Sequence, residues 1–98
     1  MTTIKAMAQI IKTDGQIVPV EPKNGTDFQL DELQQIVGGY VQLLPLANEA
    51  GEIMVMNEDG KVEGLPMNHK ATELAAKRLF PGDYIVGDVL VCKTDQIK

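Results

Sequence analysis

Four consecutive apolar residues, Ile53-Met54-Val55-Met56, lie between two turn-forming runs, Asn48-Glu49-Ala50-Gly51 and Glu58-Asp59-Gly60-Lys61. So short a bounded run has the length of a strand, and successive strand side chains point to opposite faces. Ile53 and Val55 therefore share one face, and Met54 and Met56 the other. A strand apolar on both faces is either central or meets a helix or a partner on its second face. The rest of the chain has to supply that cover.

Read in order, it supplies both sheet and helix. Ile4 to Lys12 is an apolar-rich run with Ile4, Ala6, Ala8 and Ile10 on one alternating face. Asp14-Gly15 follows as a turn signal, and Gln16 to Val20 reads as the second arm of a hairpin. Pro19 and Pro22 remove ladder donors, so this second strand belongs at an edge or ends early. Leu30, Leu33, Ile36 and Val37 then recur at helical spacing, which predicts a helix with Asp31, Glu32, Gln34 and Gln35 facing outward. Asp31 and Glu32 complement the dipole of its first turn, and Gly38 is placed to stop it in the left-handed conformation.

Tyr40 to Leu46 and Glu52 to Asn57 form a second hairpin. Asn68 opens a second helix with Ala71, Leu74, Ala75 and Leu79 on one stripe, ended by Pro81-Gly82. Tyr84 to Lys93 is the last predicted strand, interrupted at Gly87-Asp88 by a bulge, a kink or a turn. The order ββ-α-ββ-α-β predicts an α+β domain. Its core is a small, mainly antiparallel sheet or partly open barrel of about five strands with two helices. One domain covers residues 1–98, with a polar, frayed tail over 94–98.

Net charge excludes some functions. The 98 residues carry −5, and only Lys77-Arg78 are adjacent bases, so no basic face is available to neutralise nucleic-acid phosphates. The single cysteine, Cys92, forms no internal disulfide, and no apolar run approaches the roughly 20 residues of a membrane span. Ala6-Met7-Ala8 has no apolar stretch before it to make a signal peptide. No nucleic acid, no membrane and a cytoplasmic location are the expectations.

Candidate chemistry gathers at the start of the second helix. With Asn68 as N-cap, the first turn holds His69, Lys70, Ala71 and Thr72, with no acid and no capping-box Glu. Backbone N–H groups and two basic side chains converge there, an arrangement that suits a phosphate or carboxylate. An ordinary capped, solvated turn is the plainer reading. Leu65 and Pro66 either wall such a site or plug the core and set the loop angle. Gly39, unlike Gly38, is not explained by the helix stop, and Tyr40 offers a stacking face or sits half-buried in its strand. His69 and Cys92 are the chain's only His and Cys. Cys92 lies in a packed-strand sequence, away from the electropositive setting a nucleophile needs. No metal-ligand spacing and no glycine-rich phosphate motif is present.

Four blocks resemble a small domain family of unknown function. They are Val37-Gly38-Gly39-Tyr40, Asn57-Glu58-Asp59-Gly60-Lys61, Gly64-Leu65-Pro66-x-Asn68-x-x-Ala71-Thr72, and Ile85 to Val91. Members often carry Glu two residues after the Tyr, where this chain has Gln42. The resemblance spans about Leu30 to Val91. The family is found in phages, prophages and gut bacteria, so the resemblance implies a phage or mobile-element origin, and it implies no activity.

Three functional classes follow. The first is a non-enzymatic binder or sequesterer of a small anionic ligand such as a nucleotide. The second is a protein-interaction module that modulates a host protein through a sheet edge or the Met54/Met56 surface. The third, an enzyme, lacks any nucleophile, base or cofactor motif. No cofactor, no metal and a homodimer that covers open sheet edges complete the expectations.

Overall fold

A computed structural model describes residues 8–97. Its strands are β1 (Ala8–Ile11), β2 (Ile17–Val20), β3 (Val41–Pro45), β4 (Glu52–Asn57) and β5 (Val89–Lys93). They form one antiparallel sheet in the order β2-β1-β5-β4-β3. Helix α1 (Leu30–Val37) precedes β3, and α2 (His69–Ala75) precedes β5 and continues as a 3₁₀ turn, Ala76–Arg78. The α+β class and the element order are those predicted. The sheet is open, which settles the choice between sheet and barrel.

The doubly apolar run lies in β4, an interior strand paired with β3 and β5. Ile53 and Val55 pack with Leu90, Cys92 and Ala8 against Leu33 and Val37 of α1. On the opposite face Met54, Val89 and Val91 pack against Ala71 and Ala75 of α2. Met54, Val55, Val89 and Leu90 are fully buried. Each such side chain contributes about 1.5–3 kcal/mol relative to exposure, so neither helix is dispensable. The first four residues of the expected Ile4–Lys12 run lie outside the described residues. The rest pairs with β2 as a hairpin, and β2 is an edge strand as its proline required.

Four expectations change. Glu32 faces inward, not outward, because its carboxylate accepts the N–H of Gln29 (2.8 Å) and of Lys23 (2.9 Å). This is a capping box that also ties down the preceding loop. Leu30 and Leu74, placed on apolar stripes by spacing, are exposed instead; α2 turns Ala71 and Ala75 to the sheet and leaves Leu74 off that face, and in α1 the buried residues are Glu32, Leu33 and Val37. The last strand starts at Val89, not at Tyr84. Gly87 has a left-handed φ of +77°, so Gly87-Asp88 is a kink, and Asp88 Oδ1 accepts the Thr13 N–H (3.0 Å) across it. Finally, the tail is not frayed up to residue 97. Thr94–Gln96 form a 3₁₀ turn, Gln96 C=O accepts the buried Phe28 N–H (2.8 Å), and Ile97 packs on the α1-side core.

That tail gives a direct test. Deleting residues 94–98 leaves the Phe28 N–H without its acceptor and uncovers apolar surface. A loss of about 1–3 kcal/mol is expected in urea unfolding. A frayed tail would cost nothing.

Candidate functional site

Asn68 is fully buried, and every polar atom of its side chain is taken within the fold. Its Oδ1 accepts the Ala71 N–H (3.0 Å), which caps α2 as the sequence indicated. Its Nδ2 donates to the carbonyl of Ile11 at the end of β1 (2.8 Å) and to that of Gly87 at the kink (2.9 Å). Thr72 completes the knot. Its Oγ1 donates to Asn68 C=O (2.8 Å) and accepts the Ile85 N–H (2.9 Å). Asn68 and Thr72 therefore hold α2 onto the sheet and offer nothing to a ligand. Of the predicted cluster His69 and Lys70 are exposed and Thr72 only partly so, on a helix of about two turns.

Leu65 is half-buried and Pro66 exposed, and main-chain hydrogen bonds tie both into the loop. Gly87 N–H donates to Pro66 C=O (2.8 Å) and Leu65 N–H to Gly60 C=O (3.0 Å). Leu65 leans on bare backbone: a Cβ on Gly87 would stand 2.8 Å from its Cδ1. The same kind of approach explains Gly39, where a Cβ would stand 3.0 Å from Asn57 Nδ2. Asn57 is buried and donates to Val37 C=O (3.2 Å) and Glu63 Oε1 (2.9 Å) while accepting the Asp59 N–H (2.8 Å). Gly39 makes room for this bracket between α1 and the 58–64 loop.

Gly39 and the exposed Tyr40 line a different concavity, of about 480 Å³, open to solvent between α1 and that loop. Asp31, Asp59 and Glu63 also line it. Three carboxylates repel the anion that the sequence proposed for this set. The eight predicted residues thus scatter: Asn68 and Thr72 lie in the knot, Leu65 and Pro66 in a loop, Gly39 and Tyr40 at the acidic basin, and His69 and Lys70 stand exposed on α2.

A second groove, of about 300 Å³, lies on the α2 side of β3 and β4. Gln42, Leu44 and Met56 form its floor, and Met56 and Leu44 continue the core beneath α2. Leu79, Phe80 and Tyr84 line it from the chain between α2 and β5, and Lys61 and Val62 from the 58–64 loop. Phe80 is 84% and Val62 90% exposed. Met54, the other half of the expected methionine surface, is sealed under α2, so only Met56 reaches the groove.

Polar contacts brace the groove. Lys61 forms a salt bridge with Asp83, and its Nζ stands 4.5 Å from the Tyr84 ring centroid. The Lys61 ammonium, together with the Tyr84 N–H, holds the Asp83 carboxyl below its ordinary range. Arg78 Nε donates to Pro45 C=O (3.1 Å) at the end of β3. Phe80 and Val62 went unread in the sequence because each sits beside turn residues, Pro81-Gly82 and Glu63-Gly64, that read as punctuation. The available signal was two large apolar residues in segments with no apolar period to bury them.

Cys92 and His69 do not come together as a pair. Cys92 points to the α1 side and His69 belongs to α2, so the sheet separates them. Burial, with Glu52 and Asp95 adding to it, pushes the Cys92 thiol up to about 12. Among the described residues no group of three or more His, Cys, Asp or Glu is placed to hold a metal ion, and no helix is long and apolar enough to cross a membrane.

The architecture is thus an α+β domain with one open five-stranded antiparallel sheet, a helix on each face and an apolar groove along one edge. The chain belongs to the family described as a domain of unknown function, DUF3846, whose model matches residues 7–98. The match reaches well beyond the 30–91 stretch that carries the sequence blocks. Neither the curated proteins nor the solved structures yield a match.

Two outcomes test this geometry. Replacing Asn68 with the similarly sized Leu strands two carbonyls and one N–H in a dry interior. At about 1–3 kcal/mol per group, a loss of roughly 3 kcal/mol or more is expected in chemical denaturation; a loss under about 1 kcal/mol contradicts the knot. For Asp83 the folded pKa lies below the unfolded one. Its contribution is therefore present above about pH 4 and disappears as the pH falls through the depressed folded value. A carboxyl NMR titration should place Asp83 below the ordinary range, and Lys61→Ala, which removes the larger cause and leaves the Tyr84 N–H, should move it upward toward that range.

Proposed function

We propose that the domain is a non-enzymatic protein-interaction module that docks an apolar segment of a partner protein in the groove beside β3. The observation that carries this reading is the near-complete exposure of Phe80 and Val62 at the rim of a groove whose floor, Leu44 and Met56, is continuous with the core. Scattered exposed apolar residues need no explanation, but a contiguous patch around a concavity is how docking surfaces look. Aromatic anchors beside a packed apolar floor are the usual carriers of binding energy. Arg78 adds charge selectivity. Its Nε is spent on Pro45, while its other nitrogens carry no hydrogen bond among the described residues, so an acidic residue beside the partner's apolar anchors suits it.

The small-anion binder gives way to this reading. It relied on the start of α2, where Asn68 and Thr72 are committed to the fold, and it would now rest on His69 and Lys70 alone. The groove offers an anion only Arg78, because Lys61 is already paired with Asp83, and Glu58 lines the same groove. A phage or mobile-element origin, as the sequence blocks imply, would make the partner a protein of the host cell.

Selection of random displayed peptides against the purified chain tests the proposal. Expected are peptides rich in apolar anchors whose affinity falls at least tenfold, about 1.4 kcal/mol, on Phe80→Ala, with the melting temperature unchanged. Enriched peptides indifferent to both Phe80→Ala and Met56→Lys, or no enrichment, overturn it. A melting-temperature rise with a nucleotide that vanishes in Lys70→Glu would restore the anion reading; saturation at a hundredfold excess over Kd contributes about 2.7 kcal/mol.

A further inference from the structure

The two edges of the sheet are guarded differently. In β2 the outward-facing residues are Ile17 and Pro19, since Lys12 N–H donates to Gln16 C=O and the ladder alternates from there. Pro19 removes a donor from the middle of that short row, so β2 cannot accept a further strand. In β3 the bonds Leu46 N–H to Glu52 C=O and Glu58 N–H to Tyr40 C=O set the alternation. They turn Tyr40, Gln42, Leu44 and Leu46 toward β4. The main-chain groups of Val41, Leu43 and Pro45 therefore face away from the sheet. Pro45 has no N–H and its carbonyl is taken by Arg78, so that end is closed. Val41 and Leu43 remain, each with a donor and an acceptor directed outward.

We infer that β3 pairs antiparallel with β3 of a second copy of this chain, in the register that sets Gln42 opposite Gln42. Val41 of each copy then forms a hydrogen-bonded pair with Leu43 of the other, which uses the outward groups of both strands. Pro45 falls opposite Gly39, beyond the strand, so its missing donor costs nothing. The register brings the half-exposed Leu43 against Val41 on the α1 side, an aliphatic cross-strand pair of the kind that stabilises sheets. Charge selects this edge too. Each copy carries −5, and no Asp, Glu, Lys, Arg or His lies between Tyr40 and Ala47. Two acidic molecules can meet along this strip without like charges touching. Edges that must stay single usually carry lysine or another charge, and this one carries none. The inference rests on main-chain directions rather than on the groove, so it stands or falls apart from the docking reading.

A cysteine placed on the proposed axis reports the register. In a non-hydrogen-bonded antiparallel pair the Cα atoms lie about 4.5 Å apart, within disulfide reach, and the native Cys92 is buried. Gln42→Cys is expected to form a covalent dimer under mild oxidation, while Gln35→Cys, exposed on α1, stays monomeric. Wild-type chain should sediment as a reversible dimer whose population rises with salt, because salt screens the repulsion between two acidic copies. Leu43→Lys should leave the circular dichroism spectrum unchanged and shift that equilibrium to monomer. Monomeric wild type at all accessible concentrations, or Gln42→Cys crosslinking no faster than Gln35→Cys, overturns the inference. So does a dimer indifferent to Leu43→Lys.

Discussion

One buried amide ties three parts of the chain together. Asn68 joins the end of β1, the kink before β5 and the first turn of α2, elements that are distant in sequence. None of these contacts is a strand–strand hydrogen bond, and two of the carbonyls lie where regular pairing stops. A buried hydrogen bond contributes only about 1 kcal/mol net, but leaving the same groups unpaired costs more than that. The force of the arrangement is therefore in what it forbids. Any packing of α2 that moves Asn68 away from Ile11 and Gly87 strands polar groups in an apolar interior, so the helix has a single seat.

The groove follows from that seat. Once α2 is pinned at its start, its buried Ala71 and Ala75 let it lie close to Met54, Val89 and Val91. Small residues on the helix and larger ones on the sheet bring the two layers together. The chain must then travel back from Arg78 to Val89 along the same face to begin β5. Gly87 with its positive φ, packed by Leu65 and donating its N–H to Pro66 C=O, fixes the final turn of this return. The outer half of the return, Leu79 to Tyr84, has no sheet beneath it to fill. It stands beside β3 and β4 as a wall, and the Lys61–Asp83 pair holds the 58–64 loop near it.

How much of this was legible depended on range. The run Ile53 to Met56 announced a strand covered on both faces because strand alternation needs no knowledge of partners. Gly38 announced the end of α1, where its φ is +80°, and Pro19 announced an edge, for equally local reasons. Glu32 could not be placed, since an acid in a first turn reads the same whether it faces water or caps Gln29 and Lys23. Asn68 is the instructive case. Its capping role was visible three residues away at Ala71, but its two carbonyl acceptors come from β1 and from the approach to β5. Without them the Asn68 amide looks free to face a ligand, when it is committed to Ile11, Gly87 and Ala71. Gly39 failed to be explained for the same reason, because Asn57 reaches it only in the folded chain. The acidic basin around Tyr40 likewise gathers Asp31, Asp59 and Glu63 from segments that sequence distance keeps apart.

What separates the groove from ordinary surface is that Phe80 and Val62, at its rim, are left almost wholly in water. Leu65 is bulky and lies in a loop, and packing against glycines accounts for it. Phe80 has no such account. It is 84% exposed, directly after the half-buried Leu79, and the turn that follows it is set by Pro81 and by Gly82 at a φ of +84°. A ring left in water contributes little burial and adds an association hazard, and a polar residue would serve the same turn. Val62, at 90% exposure, raises the same question on the other side of the groove. An isolated misfit would mean little. Two of them, on separate loops braced toward each other by Lys61 and Asp83 above an apolar floor, are accounted for once an apolar partner segment lies between them.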